Sequence, residues 1–156
     1  MGYSVIDILE KVITLENKIQ NNINEAIDLN SKNVNMLNAL SKVLKKESDK
    51  RVKIFNYIVD ENKNKDLAEI DFMSYDKISF LFNEYNQKMM YRKVDNPKEY
   101  LIYAKDLALE KYSLLVDIQG RLMNNTQDNF SNTYDVLTEL IKNTENQIDT
   151  FKKVIN

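Results

Sequence analysis

Apolar residues recur at alternating spacings of three and four along four long stretches of this chain, which is the period of a helix face and not of a strand. The first stretch runs from about Ser4 to Leu29, with Val5, Leu9, Val12, Ile19 and Ile23 on one side, and is expected to end in a turn at Asn30 and Ser31. The second begins near Ser31, carries Val34, Leu37, Leu40, Leu44, Ile54 and Ile58, and gives out in the polar run at residues 60–66. A third starts after Asp95, Asn96 and Pro97, since proline suits the first turn of a helix, and presents Leu101, Ala104, Leu107, Leu114, Ile118 and Leu122. The fourth follows a polar break at residues 124–133 and carries Leu137, Ile141, Ile148, Phe151 and Ile155. Two glycines and one proline in 156 residues leave almost no material for the turns and bulges of β architectures, so the fold class is all-α.

A chain of this length is expected to form one domain, residues 1–156. Short links join the first helix to the second and the third to the fourth, so each pair reads as an antiparallel αα-hairpin. Residues 64–97 are far more than adjacent helix ends need and must travel the length of the bundle. Within them, residues 74–90 have Ser74 as a candidate N-cap and Ile78, Phe80, Leu81, Tyr85 and Met89 as an apolar face, which predicts a short extra helix. The expectation is two antiparallel hairpins joined by a long crossover, with the second and third long helices parallel.

Several function classes fall away on residue types alone. There is no cysteine, hence no disulfide framework, thiolate nucleophile or cysteine-held metal, which fits a cytoplasmic location. There is no histidine either, which removes the usual general base and the usual nitrogen ligand. The N-terminal residues lack the pattern of a signal peptide, and no apolar run is long enough to span a membrane. Net charge is −2. Lys42, Lys45, Lys46, Lys50, Arg51 and Lys53 crowd one stretch without interleaved aromatics, which reads as a solvated helix face and predicts no nucleic-acid partner. The tyrosines, Tyr103 and Tyr112 included, read as packing residues with a polar tip rather than a radical relay, and Met89 and Met90 as gap fillers.

Each long helix interrupts its apolar stripe with a glutamate near its middle: Glu16, Glu47, Glu110 and Glu145. Four carboxylates buried together would need metals, cations or protons to neutralise them. Here the chain resembles the ferritin-like superfamily, its rubrerythrin branch in particular, whose di-iron signature is a glutamate on helix one, Glu-x-x-His on helix two, a glutamate on helix three and a second Glu-x-x-His on helix four. The corresponding positions are Glu16, Glu47-Ser-Asp-Lys50, Glu110 and Glu145-Asn-Gln-Ile148, and residues 108–122 are similar to the family's third helix. The resemblance implies a ferritin-like four-helix bundle with Glu16, Glu47, Glu110 and Glu145 as ancestral metal-ligand positions. The chain departs from it at both histidines, replaced by Lys50 and Ile148. Isoleucine cannot ligate, and a protonated lysine puts a positive charge where a metal's would lie.

The sequence reading is therefore a degenerate metal site with no catalytic residues and no cofactor, Lys50 neutralising the carboxylates. The protein would act by binding another protein or by self-association as a dimer through Phe80, Phe82, Tyr85, Met89 and Met90, with no membrane partner. Restoring histidine at positions 50 and 148 would then recover iron or manganese binding. Two alternatives stand beside it. One is a residual carboxylate-bound iron or manganese oxidase, peroxidase or iron-binding protein, a metal-dependent oxidoreductase if an enzyme at all. The other is an unrelated four-helix interaction or sensor domain.

Overall fold

The computed structural model describes residues 2–65, 67, 69–89, 91–123 and 130–155. They form five helices: α1 (Val5–Glu25), α2 (Val34–Asn62), α3 (Phe72–Lys88), α4 (Pro97–Leu122) and α5 (Phe130–Ile155). Among the described residues there is no strand, only two isolated bridges. No helix among them is long and apolar enough to cross a membrane.

Local chemistry sets the helix ends. Ser4 caps α1 in a reciprocal box, its hydroxyl accepting from the Ile6 amide at 3.2 Å while the Asp7 carboxylate accepts from the Ser4 amide at 2.8 Å. Asn96 caps α4, accepting from the Glu99 amide at 2.9 Å, with Pro97 opening the helix. The cap of α3 is Asp71 rather than Ser74: its carboxylate accepts both the amide and the hydroxyl of Ser74. α1 stops at Glu25 instead of Leu29 because the next residues pair with the chain entering α4. There the Val94 amide donates to the Ala26 carbonyl and the Asp28 amide to the Val94 carbonyl. Ser31 and Asn33 both donate to the Asp95 carbonyl, which holds them outside α2 until Val34. α5 is already under way at Phe130, so the last part of the expected polar break belongs to it. The rest of that break, residues 124–129, lies outside the described residues.

The two bridges define the topology. Tyr3, just before α1, pairs with Ile70, between α2 and α3; Ile27, just after α1, pairs with Val94, before α4. The start of α1, the end of α2 and the start of α3 therefore share one end of the molecule. The end of α1 and the starts of α2 and α4 share the other. α3 carries the chain from one end to the other, and α2 and α4 run in the same direction, as the long connection predicts. α5 returns antiparallel to α4, since Gln119 meets Thr138 while the earlier Lys111 meets the later Gln147.

α3 packs on α4 and α1. It buries Ile78, Phe82 and Tyr85, and the Tyr85 hydroxyl donates to the Leu107 carbonyl at 2.6 Å. Phe82 and Tyr85 are thus core residues and cannot form the dimer face expected of them. Phe80 is exposed, Met89 is half-buried, and Met90 lies outside the described residues.

Candidate functional site: a buried charged layer

The polar centre of the bundle is built by one residue from each of the four long helices. Glu16 on α1 is 1% exposed and Lys111 on α4 equally so, and their side chains meet at 2.8 Å. Arg51 on α2 donates to the other Glu16 oxygen at 2.5 Å. Gln147 on α5 accepts a second hydrogen bond from the Lys111 ammonium at 2.9 Å. One carboxylate thus receives two cations, and the layer carries a surplus positive charge.

Burial alone would push the Glu16 carboxyl up, but Lys111 and Arg51 outweigh it and hold it below its ordinary value. The Lys111 ammonium is displaced downward: burial disfavours its charge, Glu16 opposes that only in part, and Arg51 adds repulsion. Viewed from the acid the pair overcompensates, and viewed from the base it undercompensates. Both follow from one anion shared between two cations. Glu16 is ionised, and Lys111 bears the unrelieved part of the desolvation cost.

The other expected site residues are elsewhere. Glu47, Glu110 and Glu145 are all exposed. Glu47 pairs at 3.3 Å with Lys50, whose side chain is 70% exposed, and Glu145 accepts from the Tyr112 hydroxyl at 3.2 Å. Ile148 is buried. The expectation that four glutamates converge is therefore corrected, as is the assignment of Lys50 as the neutralising cation. A cation does sit against a buried glutamate, but it is Lys111 helped by Arg51.

One geometric reason accounts for all three misplacements. A helix turns by about 100° per residue, so stripes read at three-and-four spacing admit either of two adjacent residues. In α4 the buried set Ala104, Leu107, Ala108, Leu114, Leu115 and Ile118 is centred on Lys111, and Glu110 lies about 100° to the side. In α2 the centre is Ser48, 2% exposed, next to Glu47; in α5 it is Thr144, 0% exposed, next to Glu145. The small apolar residues Ala104 and Ala108 were the available signal, because both flank the angular position of Lys111.

A di-iron or di-manganese centre does not fit these residues. Among the described residues no group of three or more acidic side chains could hold a metal, and the one buried carboxylate on the seam is engaged on both oxygens by cations. What the layer can do is structural: a single buried anion fixes the register of three helices and, through Lys111, a fourth. The fold and the layer define an all-α protein with an ion-paired core. No family model matches the chain, and neither characterised proteins nor solved structures gave a match to it.

Proposed function

We propose that this protein is a non-catalytic helical bundle of ferritin-like ancestry that works through its surface, by self-association or by holding another protein. The observation that supports the reading is the Lys111–Glu16–Arg51 layer, in which the glutamate expected as the helix-one ligand is engaged on both oxygens by cations. The parallel course of α2 and α4, with α3 as the crossover, supports the ancestry. The core then contributes stability and shape, and function falls to exposed faces. The test is the metal content of untagged protein expressed with iron and manganese supplied. The reading expects far less than one metal per chain, and stoichiometric metal would overturn it in favour of a metal-dependent oxidoreductase.

A second reading, an unrelated interaction or sensor bundle, is favoured by one specific observation. Three of the four glutamates carrying the family resemblance stand at the surface. Both readings place the activity on the outside of the helices.

A further inference from the structure

The outward side of α2 carries a second seam. Leu40, Val43, Glu47, Lys50, Ile54 and Tyr57 follow one another at alternating spacings of three and four, the pattern with which one helix packs along another. This seam is distinct from the buried stripe through Leu37, Ser48 and Phe55. Val43 is 55% exposed, Ile54 45% and Tyr57 64%, so the chain's own helices leave most of it uncovered. Its order reads the same from both ends in polarity and opposite in charge: two apolar residues, an acid, a base, two apolar residues.

We infer that this face of the bundle is an interface between two copies of the chain, α2 packing antiparallel on the second copy's α2 about a twofold axis level with Ser48 and Asp49. In that register Leu40 faces the second copy's Tyr57, Val43 faces Ile54, and Glu47 faces Lys50. Each contact occurs twice, as an isologous interface requires. The within-chain Glu47–Lys50 pair becomes a ring of four alternating charges between two apolar clusters. Neighbouring registers do worse: sliding by one heptad either way sets both charges against apolar residues. A parallel pairing would stack Glu47 on Glu47 and Lys50 on Lys50. Met36, 57% exposed, prolongs the seam at one end, and its opposite number, Glu61, can lay its methylene stem along the thioether. A seam from residue 36 to residue 61 is about 38 Å long, at about 1.5 Å per residue.

The groove between α2 and α5 runs beside this seam. It encloses about 320 Å³ and is lined by Ile54, Tyr57 and Glu61 on one side and Asp135, Glu139 and Asn143 on the other. The Asn143 side-chain carbonyl is buried there without a partner among the described residues. In the paired arrangement α5 supplies the polar rim that flanks the apolar seam. Self-association then uses α2 and α5 rather than α3.

This inference rests on the surface-acting reading proposed above, and one set of measurements separates the two. Sedimentation equilibrium of the intact chain at micromolar concentration should give a dimer. Glu47→Lys and Lys50→Glu, both at exposed positions, should each dissociate it, weakening dimerisation roughly tenfold or more through like charges brought face to face. An equimolar mixture of the two variants should recover dimers, because each then meets its opposite. Ile54→Glu should yield monomer, with unchanged far-ultraviolet circular dichroism as the folding control. A native dimer unaffected by the charge reversals, or variants that do not rescue each other, would overturn the α2 interface while leaving self-association standing. A native chain that is monomeric would overturn both the interface and the self-association reading.

Discussion

Replacing Glu16 by glutamine removes one negative charge and almost no volume, so its cost measures the charged layer itself. The side chain is 2% exposed and takes hydrogen bonds from Lys111 at 2.8 Å and Arg51 at 2.5 Å. Glutamine keeps one acceptor oxygen but turns an amide N–H₂ toward one of the two cations. Arg51, 15% exposed at its side chain, can reach water; Lys111, at 1%, cannot and is left with neutral acceptors in place of its counter-charge. Breaking a buried pair so as to strand a charge costs about 3–5 kcal/mol, a large share of the roughly 5–15 kcal/mol that holds a domain together. Urea unfolding followed by far-ultraviolet circular dichroism should show the midpoint falling with little change in slope, and the melting temperature should drop by roughly 10 °C or more. A loss below about 1 kcal/mol would refute the reasoning, because it would mean that Lys111 is hydrated or neutral in the folded chain.

Replacing the layer as a unit, Glu16→Leu with Arg51→Met and Lys111→Met, should be nearly neutral or stabilising by about 1–4 kcal/mol in the same urea assay, since no charge is left stranded. Lys111→Met alone should cost less than Glu16→Gln, because Glu16 retains Arg51; the two unfolding midpoints decide the order. The Glu16 carboxyl is held below its ordinary value of 4.5, so its contribution is fully present above that pH and is lost as pH falls through the depressed folded value. Acid melts should show a steeper decline for the native chain than for Glu16→Gln. Lys50→His combined with Ile148→His should bind no iron or manganese by isothermal calorimetry, since position 50 is on the surface and position 148 in the core. Asn96→Ala should cost about 1 kcal/mol by removing the cap of α4, again measured by urea unfolding.

The fold was legible where a physical constraint acts over many residues. Helical periodicity sustained over the four stretches left no other element type, and a connection of residues 64–97 could not be a short loop, so the crossover and the parallel course of α2 and α4 followed. Boundaries were less legible because their causes are distant in sequence. α1 ends early for the sake of Val94, and α2 starts late because Ser31 and Asn33 hold the Asp95 carbonyl. Of the candidate site, Glu16 was legible because its neighbours Val12 and Ile19 enclose it on the stripe, and both are buried. Glu47, Glu110 and Glu145 were not, because each stands one residue from the true seam position, and a single-residue shift moves a side chain from core to water. Reading each stripe for its angular centre, with alanines and serines counted as seam residues, would have selected Lys111 and Ser48. Lys50 does meet one of the carboxylates it is expected to neutralise, Glu47, but on the exposed side of α2 rather than in the core.

The charged layer requires that Glu16 be an ionised carboxylate held by buried cations. Carboxyl carbon-13 resonances, followed by nuclear magnetic resonance across an acid titration with Glu16→Gln for assignment, read this directly. The Glu16 signal should keep its ionised position at pH 4.5 and move only at lower pH. A Glu16 signal that titrates at or above that value in the folded protein would contradict it, because burial would then have won over Lys111 and Arg51.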